Sequence, residues 1–172
     1  MSDEAAPRYA PGRAFPAYAY LPGRDPHPTQ DERGHSYRAE AGSPAEYLEP
    51  EHWHANGDYL FGVDLYNHGF LWESHESWEG LWRRARRDEL QAELLRGLIQ
   101  CAAACLKIPM GQPRGLARLS ELGTARLERV ARATGGRFMG LDLAAFVPAF
   151  RAFAASSPSD AAARPHLLLS ER

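Results

Sequence analysis

Cysteine is scarce in this chain of 172 residues, which has only two. Cys101 and Cys105 stand four apart in the apolar run 98–106. Within one regular helix that spacing does not bring the sulfurs into disulfide geometry. They are expected as small buried packing groups, with metal or redox use as the alternative. No apolar run approaches the ~20 residues needed to span a bilayer. A formal net charge of −2 gives no bulk attraction to nucleic acid or to an anionic membrane, so neither partner is expected. The basic cluster Arg83-Arg84-Ala85-Arg86-Arg87 is short and reads as a solvated helix end, with a phosphate-binding patch as the alternative. Also lacking are a Gly-rich phosphate loop, a Cys-x-x-Cys pair and a Gly-x-Ser-x-Gly elbow. Sustained two-residue alternation with β-branched residues is missing too, so a sheet is not expected. Met1-Ser2-Asp3-Glu4 is acidic and no apolar h-region follows, so a cytoplasmic protein is expected.

What is present is an apolar fraction of 44% with 24% charged residues, ordinary for a globular domain with a sizeable core. Eight of the thirteen prolines fall within residues 1–50, together with Tyr9, Tyr18, Tyr20, Tyr37 and Tyr47. Proline at that density forbids long helices and central strands, while so many aromatics argue against disorder. Residues 1–50 are therefore read as an extended arm, loose over its first dozen residues, whose tyrosines and Phe15 dock on the body. Residues 51–155 read as a helical bundle and 156–172 as a tail, with Leu167-Leu168-Leu169 its docking point.

Apolar spacing places helices from about Asp58 to Gly69, Phe70 to Ala85, Glu89 to Ile108 and Pro113 to Thr134. On the fourth, Leu116, Leu119, Leu122, Leu127 and Val130 recur at near-heptad intervals. A fifth begins at Asp142 as N-cap, with Leu141 and Phe146 as a staple, and Pro148 is expected to kink or shorten it. The fold predicted is all-α: a compact bundle of about five helices with an extended Pro/Tyr-rich N-terminal arm packed on it.

The densest chemistry lies in Glu73-Ser74-His75-Glu76-Ser77-Trp78-Glu79, flanked by Trp72 and Trp82. On a helix, residues three or four apart share a face, so His75, Glu76 and Glu79 project from one stripe. His75 and Glu79 have the i, i+4 spacing that lets one helix grip a divalent cation. Glu76 holds the place of the general base in His-Glu-x-x-His metalloproteases, and a carboxylate in place of the second histidine shifts the preference toward oxygen-rich metal sites. Glu73 is a further candidate ligand, as are Asp64 and Asn67 on the preceding helix and the arm histidines His27 and His35. The stripe reads as a divalent-metal site of a hydrolase, with Glu76 catalytic and His75, Glu79 and Glu73 as ligands. The alternative is a polar network that specifies packing in a non-enzymatic binding or scaffold protein. Asn67, Gln100, His27, His35 and Trp82 complete the expected pocket, which could take a small-molecule ligand. On the Gln100 helix, the amide is expected to bond the motif helix, with Gly97 permitting its close approach.

The stretches Leu65-Tyr66-Asn67-His68-Gly69-Phe70-Leu71-Trp72-Glu73-Ser74-His75-Glu76-Ser77-Trp78-Glu79-Gly80-Leu81-Trp82 and Arg96-Gly97-Leu98-Ile99-Gln100-Cys101 closely resemble the domain-of-unknown-function 309 family. Its signature is an Asn-x-Gly turn, then Glu-Ala-His-Glu-x-Trp-Glu-x-x-Trp, then Gly-Leu-Ile-Gln. Ser74 stands where alanine is usual. The resemblance runs from Pro16 to about Leu127, and the arm is similar to that of a subset carrying Pro-His-Pro and Gly-His-Ser segments. It implies an α-helical bundle and no assigned reaction. The family's marked positions fall on Asn67, Gly69, Glu73, His75, Glu76, Glu79, Trp82, Gly97 and Gln100.

Overall fold

Asn56 opens the first helix by accepting the Tyr59 N–H at 3.1 Å, an N-cap that satisfies one of the free donors of the first turn. In this computed structural model, which describes residues 6–39 and 45–171, helix α1 spans Gly57–Asn67. Every residue from Phe61 to Asn67 is buried, so α1 is a central helix covered on all sides. Gly69, at φ +87°, turns the chain into α2, Leu71–Arg84. Asp88 then caps α3, Glu89–Leu106, by accepting the Gln91 N–H. Pro113 begins α4, Pro113–Thr134, and Gly135 at φ +71° ends it. Asp142 caps α5, Leu143–Ala155, through the Ala145 N–H. The mostly-α bundle expected from the sequence is the fold observed.

Four local expectations need correction. A two-stranded hairpin does form: β1, Arg137–Phe138, pairs with β2, Leu141–Asp142. Met139 and Gly140 between them both have positive φ, the backbone that a two-residue hairpin turn requires. Helix α5 continues through Pro148 to Ala155. Pro148 and Ala144 are both exposed, so water can take the Ala144 carbonyl that proline leaves without a donor. The buried stripe of α4 is Leu116, Ser120, Gly123, Thr124, Leu127 and Val130, whereas Leu122 is 41% exposed. Within the first dozen residues, Arg8, Tyr9 and Ala10 are pinned to the body; residues 1–5 lie outside the described part.

Small residues set two helix crossings. A Cβ on Gly97 of α3 would come 2.6 Å from Leu127 Cδ2 and 3.1 Å from the Gly123 carbonyl of α4. A Cβ on Gly62 of α1 would come 2.2 Å from Trp78 Nε1 of α2. Close packing therefore fixes α1 against α2 and α3 against α4. Both cysteine thiols are buried in this core and free. Burial pushes Cys101 far above the usual thiol range and Cys105 up to about 12, which suits packing rather than reactivity.

An ionic clamp joins α3 to α4. Glu93 takes guanidinium groups from Arg126 and Arg129, and Arg126 Nε also donates to Gln100 Oε1 at 3.1 Å. Burial alone would raise the Glu93 carboxyl, but Arg129 and Arg126 outweigh it and hold the carboxyl below the usual range. A carboxylate whose folded value is depressed adds stability above its unfolded pKa, about 4.3, and loses it as pH falls through the lowered folded value. Thermal midpoints of the parent should therefore drop below about pH 4.3 more steeply than those of Glu93→Gln. Parallel curves would exclude this clamp as a contributor.

Arm and tail both fasten on α1. Asp64 is fully buried and accepts from Arg8 Nε at 2.9 Å and from the Tyr9 and Ala10 N–H groups at 2.7 and 2.9 Å. One turn or less further on, at the C-terminus of α1, buried Arg164 donates to the Tyr66 and Asn67 carbonyls, satisfying acceptors that a helix C-terminus leaves free. Asn67 pairs with Leu167 through two hydrogen bonds of 2.8 Å. Leu167 is buried and Leu169 bridges Leu141. The Leu169 N–H donates to Tyr9 Oη at 2.9 Å, so arm and tail meet.

Candidate functional site

Helix α2 is amphipathic and presents two ionisable faces. Two residues along a helix is a rotation of about 200°, so Glu73 and His75 diverge although they are near neighbours in sequence. His75, Glu76 and Glu79 converge: each offers one ligand atom, and these atoms lie within 4.8 Å of one another. His75 Nδ1 stands 3.4 Å from Glu76 Oε1, and Glu79 Oε1 accepts from Arg83 at 3.1 Å. His75 and Glu79 are half-buried and Glu76 is exposed at its edge. Desolvation raises the Glu76 carboxyl above the usual range, opposed by His75 and reinforced by Glu79, with smaller opposing effects from Arg83 and His27.

Glu73 does not join that group. Its carboxylate is 6% exposed and turned toward the arm: Oε1 accepts the Tyr20 N–H at 2.8 Å and lies 3.0 Å from His35 Nε2. His35 is fixed in turn by Ser36 Oγ at its Nδ1, 2.8 Å away, and by the Tyr18 ring packed edge-on. Glu73 Oε2 is buried and has no hydrogen-bond partner among the described residues, a state that is rare for buried polar atoms in folded proteins.

The two faces meet at a cavity of about 360 Å³ between the arm and α2. Glu73, Glu76, Ser77 and Trp72 from α2, Asp58 and Phe61 from α1, and Arg13 and His35 from the arm all line it. Arg13 pairs with Asp58 at 2.7 Å and lies over the Phe61 ring. His27 packs edge-on against Trp72, as does Tyr20, so His27 touches a wall residue without lining the cavity itself. The site is thus a half-polar cleft whose outer rim carries the His75–Glu76–Glu79 group, with Glu76 belonging to both.

The remaining expected pocket residues are placed elsewhere. Asn67 faces the tail, where it pairs with Leu167. Gln100 bonds Arg126 of α4 and not α2, and the helix admitted by Gly97 is likewise α4. Trp82 lies one turn beyond the stripe, in a separate groove with Arg86 and Arg96. Asp64, a candidate ligand by sequence, is occupied by the arm backbone. Arg13, Asp58 and Phe61 line the cavity without any motif to announce them. The only sequence signal for them was the opposite charge of Arg13 and Asp58.

Among the described residues no helix is long and apolar enough to cross a membrane. No curated protein and no solved structure matches the chain. Residues 59–119, which carry most of α1, all of α2 and α3 and the start of α4, match the profile of the family described as Domain of unknown function (DUF309), and over that stretch the chain resembles this family.

Proposed function

We propose that the rim of α2 binds a divalent cation through His75 and Glu79, and that the protein is a hydrolase whose substrate enters the cavity under the arm. The observation that carries this reading is the convergence of His75, Glu76 and Glu79 within 4.8 Å at the edge of that cavity. Two protein ligands and a neighbouring carboxylate leave coordination positions open, as catalytic sites require and closed structural sites do not. An imidazole with carboxylates suits zinc, manganese or iron. The Glu79–Arg83 pair is no obstacle, since exposed pairs of this kind contribute only about 0–1 kcal/mol.

In this reading the cation supplies an acidified water. Glu76, already drawn toward its protonated form by desolvation, is the group placed to take the proton. Glu73, Arg13 and Asp58 then orient the bound molecule, and Trp72 and Phe61 offer it an apolar wall.

The test is elemental analysis of protein purified without a histidine tag and incubated with zinc, manganese or ferrous iron. Stoichiometric metal is expected in the parent and none in His75→Ala/Glu79→Ala, whose circular dichroism should be unchanged because both side chains are only half-buried. A parent that takes up no metal would instead favour the second reading, a binding or scaffold protein. That alternative has its own support in the Glu73–His35 and Asn67–Leu167 bonds, which serve packing.

A further inference from the structure

We infer that the groove between the end of α2 and the α3–α4 pair binds a nucleotide, with its flat ring against Trp82 and its phosphate on Arg86 and Arg96. The groove encloses about 520 Å³ and shares no residue with the His75–Glu76–Glu79 group or the arm cavity, so this inference is independent of the proposed reaction.

Two guanidinium groups from different elements converge there on one indole. Arg86, on the short turn after α2, and Arg96, on α3, each lie 5.3 Å from the centre of the Trp82 ring. Neither makes an ion pair among the described residues, although ten other arginines do. Like charges gathered this way repel unless an anion lies between them. Of the two carboxylates in the groove, Glu93 is already neutralised by Arg126 and Arg129. Glu89 is left against Arg86, Arg96 and the neighbouring Arg84 and Arg87, which make no ion pair among the described residues either. In a chain of net charge −2, the local field of this groove is therefore positive.

The residue types narrow the anion. Arginine presents a planar fork that matches phosphate with two parallel hydrogen bonds and also stacks on flat rings. Trp82 is half-buried and packed against the core, and it shares the groove with Leu90 and Val130, so it offers an aromatic surface held by the body of the protein. An aromatic platform beside cationic side chains is the arrangement on which single bases stack while their phosphates are held. The same unit occurs in a free mononucleotide and in a single strand.

Isothermal titration of AMP, inorganic phosphate and a short oligouridylate into the full chain distinguishes these sources. AMP or the oligouridylate should bind more tightly than inorganic phosphate. Arg86→Ala/Arg96→Ala should weaken that binding at least about tenfold with unchanged circular dichroism, and Trp82→Leu should erase the preference over phosphate. Comparable binding of AMP and the oligouridylate identifies the free nucleotide as sufficient. Much tighter oligouridylate binding that falls steeply with salt identifies a single strand. Absence of binding by both, equal binding to the double arginine variant, or phosphate binding as tight as AMP would overturn the inference.

Discussion

Replacing Asp64 by alanine is expected to lower the unfolding free energy by about 3 kcal/mol and to free the N-terminal arm. Asp64 is wholly buried, and three donors end on it: Arg8 Nε and the Tyr9 and Ala10 N–H groups. Alanine would leave all three without an acceptor. The Arg8 side chain is 27% exposed and can turn to water, but the two backbone donors can be rehydrated only if the arm lifts. Lifting it also abandons the Phe15 ring packed on Phe70. Denaturant titration would give the free energy, and limited proteolysis should cut the variant between Arg8 and Arg13 while sparing the parent. A loss below about 1 kcal/mol, the net worth of an ordinary hydrogen bond, with protection retained, would mean that Asp64 does not hold the arm.

Gly62→Val should cost a comparable amount, about 3 kcal/mol, by overpacking. Here the physics is steric. The first carbon of any side chain at Gly62 would lie 2.2 Å from Trp78 Nε1, 2.6 Å from Cδ1 and 2.7 Å from Cε2. Trp78 is fully buried, and a rigid ring in a packed core cannot swing aside as the end of a long side chain would. The crossing of α1 over α2 must open instead, which displaces the helix bearing His75, Glu76 and Glu79. Calorimetry should show the lowered midpoint, and near-ultraviolet dichroism should lose tryptophan fine structure. Gly62→Ala should fall between parent and valine, because its better helix propensity returns up to about 1 kcal/mol. Wild-type stability in the valine variant would contradict the packing described.

Much of this was readable from residue order. Asp88, Pro113, Gly135 and Asp142 punctuate the helices, and caps act through neighbours only a few residues away. For the same reason the His75–Glu76–Glu79 group was readable: a helix brings positions one turn apart together whatever surrounds it. Glu73 was not, because its partners Tyr20 and His35 are more than thirty-five residues distant and no local pattern encodes them. The arm was expected to dock through its tyrosines; in the fold its firmest hold is a buried carboxylate gripping backbone N–H groups, which leave no mark in side-chain patterns. Counting leucines misread α4, where the tight crossing uses Ser120, Gly123 and Thr124 in place of large apolar residues. Gln100 was correctly seen as a polar group needing a partner, but which helix supplied it depended on Gly97 and Gly123 drawing α4 close.

Along α2, Glu73 holds the arm, while His75 with Glu79 is the proposed cation site. Calorimetric titration of zinc or manganese into the parent, Glu73→Gln and His75→Ala tests it directly. Glu73→Gln should bind the metal as the parent does, and His75→Ala should not bind it. Metal retained by His75→Ala but lost from Glu73→Gln would contradict the account.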